Sequence, residues 1–336
     1  SKLYTNYDIF SFTSDRIRLN NVTIAGGTIK IGIAKEETQL NIQFLTEYFK
    51  PTPTSNPSSG SPTITFDKVK ITDTRFHYYN NNKAHPADRL FDENNMIYSH
   101  LNGDLHNFTI IQDSLSFVID NMSGQEKSGL IVDELQAKTV ISSTTMEFAD
   151  LYVQPPQSTI RDFLRFDYTD YSDFSDFIKH VNIEANLAKS EVHMNDIALF
   201  SNSLLAYKEL ITASGKITGT IANLKSRNLD LKINSHTTYL GSIRLKGLPD
   251  VAKTHIRLVA KNFTTNTADL VPLIQLDSAP KEFLSLGQVS YLGTFIGFVD
   301  DFKINGDLTS AVGRATASLH YYQSKKGIAS YEGTLK

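Results

Sequence analysis

The chain of 336 residues has no cysteine and no tryptophan. Without thiols there are no disulfides and no thiolate metal ligands, although this does not by itself assign a redox compartment. Fifteen tyrosines and 20 phenylalanines supply all the aromatic surface. Neither sign of charge is in clear excess, with 33 Lys and Arg against 36 Asp and Glu. That balance argues against a dedicated nucleic-acid binder, which needs a basic face, and gives no reason to expect an anionic membrane surface as partner. Long apolar runs are also missing. The nearest approach, Phe283–Val299, carries Ser285, Gln288, Ser290, Thr294 and three glycines, so it reads as strands and turns rather than a membrane span. There is no initiating Met and no signal peptide, and the sequence stops at YEGTLK inside an alternating stretch, which suggests a fragment of a longer protein.

What is abundant is alternation with a period of two, the mark of strands with one buried face. Leu229, Leu231 and Ile233 alternate with Asp230, Lys232 and Asn234; Ile243 and Leu245 with Ser242, Arg244 and Lys246; Ile256, Leu258 and Ala260 with Arg257, Val259 and Lys261. Val181, Ile183, Ala185 and Leu187 form another such series, as do Leu115, Phe117 and Ile119. These runs recur about every 8–12 residues with Gly, Asn or Asp between them, which predicts antiparallel meanders of about twenty strands. Asn-Gly at 102–103 and 305–306 fits tight hairpins, and Ala25-Gly26-Gly27 reads as another.

Three places break this rhythm. Residues 50–62, KPTPTSNPSSGSP, predict an exposed loop. Thr169–His180 places Tyr171, Phe174, Phe177 and Ile178 on one helical stripe, with Asp170 or Ser172 as cap. Shorter helices are expected at Asn195–Leu205 and Thr267–Gln275. The polar segment 80–95 reads as a surface excursion.

A repeat organises the C-terminal part. Gly215, Ile217, Gly219, Ile221, Leu224, Asp230 and Leu231 correspond to Gly293, Phe295, Gly297, Val299, Phe302, Asp307 and Leu308, with the second copy one residue shorter before its Asp-Leu. Repetition favours an elongated body whose units touch mainly their neighbours.

Catalytic signatures are missing. Nine scattered histidines form no H-E-x-x-H, and neither a phosphate loop nor a G-x-S-x-G elbow occurs. The acidic pairs Asp133-Glu134 and Asp300-Asp301 are strand or turn neighbours that face opposite ways, so neither flanks one glycosidic bond. No metal, cofactor or enzymatic activity is expected.

The order of several segments resembles the periplasmic TamB proteins of the translocation and assembly module, in the Bacteroidetes form, within the AsmA-like family. These are FDKVKITDTRFHYY at 66–79, EKSGLIVDELQAKTVISSTTMEFADLYVQPPQSTI at 126–160, DFSDFIKHVNIEA at 173–185, MNDIALFSNSL at 194–204, YLGSIRLKGLPD at 239–250 and FTTNTADLVPLI at 263–274. The resemblance implies a mainly β fold: an elongated, curved antiparallel trough, or β-taco, with a few short helices. It also implies a bridge-like carrier that shields phospholipid acyl chains between the inner and outer membranes. The family is anchored in the inner membrane and works with an outer-membrane partner of the Omp85 class. The anchor and the C-terminal domain for that partner are not found in this sequence.

On this reading Val181, Ile183, Leu187, Leu229, Leu231, Ile233, Ile243, Leu245, Ile256 and Leu258 line the groove, and Tyr171, Phe174, Phe177 and Ile178 plug it. Alternation identifies the buried face without saying what covers it. A closed β-solenoid or sandwich serving as scaffold or adhesin, a carbohydrate-active β enzyme, and a role in outer-membrane protein assembly without lipid carriage are the alternatives.

Overall fold

A computed structural model describes residues 2–7, 16–41, 63–87, 89–111, 113–273, 281–323 and 329–336. The protein is mainly β, with 18 strands and a few short helices among the described residues. The chain divides into two compact units, Ser1–Val181 and Asn182–Lys336. The predicted loop 50–62 lies outside the described residues.

The first unit holds β1 (Lys2–Tyr7), β2 (Arg16–Ala25), β3 (Thr28–Ile33), β4 (Thr63–Asn80), β5 (Asn95–Ile111), β6 (Ser114–Glu126), β7 (Ile131–Ile141), β8 (Thr145–Gln154) and β9 (Ile160–Asp167). From β4 to β9 each strand pairs antiparallel with the next. The start departs from the expected meander. Both β2 and β3 run parallel to β4, with Ala25 opposite Thr72 and Thr28 opposite Arg75, an unchanged register across the glycines. Ala25-Gly26-Gly27 is therefore not a hairpin. The chain keeps its direction while Gly26 N–H donates to Thr72 O at 3.0 Å and Arg75 N–H to Gly27 O at 2.9 Å, so the ladder's hydrogen bonds bridge the jog. Reaching β4 in a parallel sense requires a long crossover, and most of the chain between β3 and β4 lies outside the described residues.

The core of this unit gathers on one face. Val22, Val69, Leu105 and Ile119 stand opposite one another on β2, β4, β5 and β6 and are buried, with Phe66, Phe108 and Phe117 packed against them. Phe66 meets Phe108 edge-on at 5.0 Å, a geometry suited to ring quadrupoles. The segment 80–95 is turn-rich as expected, yet it is not simply solvated. Asp92 and Asn94 are buried, and Asp92 accepts from Asn94 N–H at 3.0 Å and pairs with His85 at 2.6 Å. Nearby Glu126 is fully buried, its two carboxylate oxygens accepting from Ile97 and Ser128 N–H. Burying a carboxylate is tolerable because backbone donors replace its water.

The second unit is a plain antiparallel meander: β10 (Asn182–His193), β11 (Leu210–Gly219), β12 (Asn223–Ile233), β13 (Thr237–Lys246), β14 (His255–Asn266), β15 (Gln288–Gly297), β16 (Asp301–Ser310), β17 (Gly313–Gln323) and β18 (Ala329–Leu335). Each pairs with its successor. The helix expected at Asn195–Leu205 is broken into short turns, and the one expected at Thr267–Gln275 is present as far as the described residues reach. The first is an α turn at Met194–Ile197 with 3-10 turns at Ala198–Phe200 and Asn202–Leu204, and the second spans Thr267–Leu273. Residues 274 and 275 lie outside the described residues. In the stretch Phe283–Val299 a helical turn, Lys281–Ser285, precedes β15, and no helix among the described residues is long and apolar enough to cross a membrane.

Both Asn-Gly pairs fall inside strands rather than at hairpins, in β5 and β16. Gly306 stands directly opposite Gly293, where a Cβ would run into the Leu292 carbonyl. Close approach of neighbouring backbones, not chain reversal, is what this glycine provides.

Candidate functional site

In an antiparallel pair, directly opposite residues share a face, so register maps that face across the whole sheet. In the second unit one such row runs Ile217, Ser226, Ile243, Leu258, Phe295, Ile304 and Leu319. Another runs Ala213, Leu231, Tyr239, Phe263, Tyr291, Leu308 and Ala315. A third, towards the strand ends, passes through Leu224, Leu245, Ile256, Gly297, Phe302, Tyr321 and Tyr331. Phe295, Phe302 and Tyr321 stack at 4.7 and 4.9 Å between successive ring centres.

Between the first two rows lies a line of small residues. Gly215 faces Leu187, Gly241 faces Leu229 and Ala260, and Gly293 faces Ala260 and Gly306, which in turn faces Ala317. Beside this line β10, β12 and β14 each hold one extra residue, after Leu187, Ser226 and Ala260 respectively. Bulges bend and twist a strand, and glycine lets the facing backbone close in, so the two devices in register bend the sheet along one line. The curvature expected for this fold is built there.

The structure places nine of the ten predicted lining residues on this one face. Ile183, Leu187, Leu231, Ile233, Ile243, Leu245, Ile256 and Leu258 are half-buried and Leu229 is buried. Their polar alternates Asp230, Lys232, Arg244, Lys246 and Arg257 are exposed on the other face. In a closed sandwich the large apolar side chains would be sealed by a second layer. Here many of the buried apolar positions are small, including Ala185, Ala213, Ala260 and Ala317. The tenth residue, Val181, is fully buried in the first unit, its N–H donating to Phe177 O at the end of a helical turn.

The segment predicted as a helix over 169–180 is a 3-10 helix, Tyr171–Asp176, followed by one α turn, Phe177–His180. Asp170 caps it by accepting from Ser172 N–H at 2.7 Å, so of the two candidate caps it is the one used. Phe174 meets Tyr168 at 4.8 Å and Phe177 meets Phe166 at 5.4 Å. Phe166 belongs to the row Leu115, Ile141, Met146 and Phe166, so the insertion packs on the β9 end of the first unit's sheet. Ile178 is half-buried there. The hydroxyls of Tyr168 and Tyr171 both donate to Ser142 O, and burial raises both phenols above the ordinary tyrosine pKa.

Among the described residues no group of three His, Asp or Glu side chains is placed to hold a metal. Most histidines instead pair singly with aspartates, as His100 does with Asp73, His106 with Asp120 and His320 with Asp301.

The repeat has a structural meaning. Gly219 and Gly297 end β11 and β15 in the same way, each with positive φ and each with its Cβ direction blocked by the carbonyl of the residue four positions on. The length difference between the copies is the bulge: β12 carries an extra residue against both neighbours, whereas β16 pairs without any shift. A second repeat went unrecognised in the sequence. Tyr239-Leu240-Gly241-Ser242 and Tyr291-Leu292-Gly293-Thr294 each lay a tyrosine over the glycine two residues on. The spelling Tyr-Leu-Gly-Ser/Thr was its signal.

No protein-family model, no curated protein and no solved structure matches the chain.

Proposed function

We propose that the protein is a carrier segment whose open apolar face shields the acyl chains of phospholipids during transfer between the inner and outer membranes of a periplasm. One observation carries this reading: an apolar face continuous over nine strands on which most of the large side chains are only half-buried, with no second sheet over them among the described residues of their own unit. Soluble proteins rarely leave so large an apolar surface uncovered without a ligand or partner for it. At about 4.8 Å per strand, a row across this sheet is roughly 40 Å long, ample for an acyl chain when two leaflets together span about 30 Å. Moving a chain from bilayer to trough exchanges one apolar environment for another at nearly equal free energy, since each CH₂ is worth about 0.8 kcal/mol in either. Such a surface needs no deep binding minimum and no specific polar ligand. The likeness to TamB and AsmA-like segments supports the same reading, and with it an Omp85-class partner engaged by other parts of the protein. The helical turn bearing Phe174 and Phe177 serves as a plug at the end of the first unit's sheet.

Mass spectrometry of organic extracts from the purified protein tests this proposal. Phospholipid retained in appreciable stoichiometry, against a control protein prepared identically, is the expected result. A lipid-free extract overturns it in favour of a β scaffold.

A further inference from the structure

The other face of the second unit carries charge in an unusual arrangement. Lys225, Arg244 and Arg257 stand directly opposite one another on β12, β13 and β14. The same row continues through Ile296 to Lys303 on β16, and Lys246 lies one step along, opposite His255. All five cations are exposed. Directly opposed like charges destabilise a sheet, so such a row is costly in isolation. The acids around it are otherwise engaged: Glu184 pairs with Lys216, Asp301 with His320 and Asp250 with Lys253, while Glu332 accepts from the Tyr322 hydroxyl. Among the described residues the five cations make no ion pair, although the whole chain is net negative at −3. From Lys225 to Lys303 the row spans about 19 Å.

A second feature points the same way. The turn after β15 exposes Phe298 (38 %) and Val299 (42 %), and Ile296 within the row is 37 % exposed. Phe298 meets the His255 ring edge-on at 5.3 Å, which fixes it beside the basic row. Asp300 in the same turn is outnumbered by the cations.

We propose that this face docks on an anionic phospholipid bilayer, with the cations at the headgroups and Phe298 and Val299 entering the interface. Basic side chains near such a surface gain from its negative potential, and an apolar tip among them gains by burial, whereas a phosphate backbone or an acidic peptide offers that tip nothing. The inference stands apart from acyl-chain carriage, because it uses the opposite face of the sheet.

Co-sedimentation with phosphatidylcholine vesicles, with and without phosphatidylglycerol and at low and high salt, tests it. Binding should require phosphatidylglycerol and weaken with salt. Replacing three cations together, Lys225→Gln, Arg244→Gln and Arg257→Gln, should weaken binding about a hundredfold while the circular dichroism spectrum is retained. Phe298→Ser should weaken it further. Leu231→Glu, on the other face, should leave the phosphatidylglycerol dependence unchanged, which separates this proposal from the transfer reading. Equal binding by the triple variant, binding indifferent to phosphatidylglycerol, or displacement from vesicles by a short DNA duplex would each overturn it.

Discussion

The ring of Tyr239 lies across Gly241, with its hydroxyl 2.7 Å from the point a Cβ on that glycine would occupy and donating to the Ser242 carbonyl at 2.7 Å. Tyr291 repeats the arrangement over Gly293, its hydroxyl reaching Thr294 O at 2.8 Å and Asn305 O at 3.1 Å. Each tyrosine covers a glycine on the line of bends and occupies a carbonyl there. Gly241→Ala is expected to destabilise the protein by about 1–3 kcal/mol, because the added methyl meets the Val259 carbonyl as well as the ring. Tyr239→Phe, which keeps the ring and loses the donor, should cost roughly 1–2 kcal/mol. Urea titrations of both variants check this, and a neutral Gly241→Ala would show that the backbone there has room to give.

Alkaline pH probes Tyr239 in a second way. Burial pushes the Tyr239 phenol up to about 12, and burial with the Glu126 carboxylate beside it does the same for Tyr98. A folded-state pKa above the unfolded value means the native state holds the proton more tightly. The contribution to stability is therefore complete below the unfolded value near 10 and is lost as pH rises through the folded value. Denaturation midpoints should fall across pH 10 to 12, and Tyr239→Phe should flatten that fall. Parallel curves for the parent and the variant would count against Tyr239 as a contributor.

Leu231 stands opposite Tyr239 on the apolar face and is half-buried. Leu231→Glu should reduce retained phospholipid several-fold while the protein still folds, because an open face lets the carboxylate reach water. In a closed core the buried charge would unfold the protein. The two readouts are lipid in the extract and the far-ultraviolet circular dichroism of the same sample.

The bulge in β12 offers a test of register. Deleting Asn228 removes the extra residue and gives β12 the unshifted pairing already found in β16, so the variant should fold with a modestly lower Tm. Deleting Asn305 from β16 has no bulge to absorb it and sends Leu308 to the polar face. One residue of slip inverts every later side chain, so that variant should fail to fold. Thermal melts of the pair distinguish the outcomes, and equal tolerance would mean that register is set elsewhere.

Which side chains share a face in the second unit was legible in the sequence, because a strand's period of two is local and Leu229, Leu231 and Ile233 declare it within five residues. The cap at Asp170 was readable for the same reason, since its hydrogen bond closes over two residues. The direction of β2 and β3 was not, because parallel and antiparallel strands alternate alike and only the crossover to β4 decides between them. Asn-Gly at 305–306 looked like a turn, and only its partner, Gly293, shows that it serves close approach. Net charge concealed the basic row, since Lys225, Arg244 and Arg257 are distant in sequence and become neighbours only through register. The sequence by itself determined which residues turn to the apolar side. The tertiary structure decided which strands stand together, because register is a sum of many distant contacts that no local window contains.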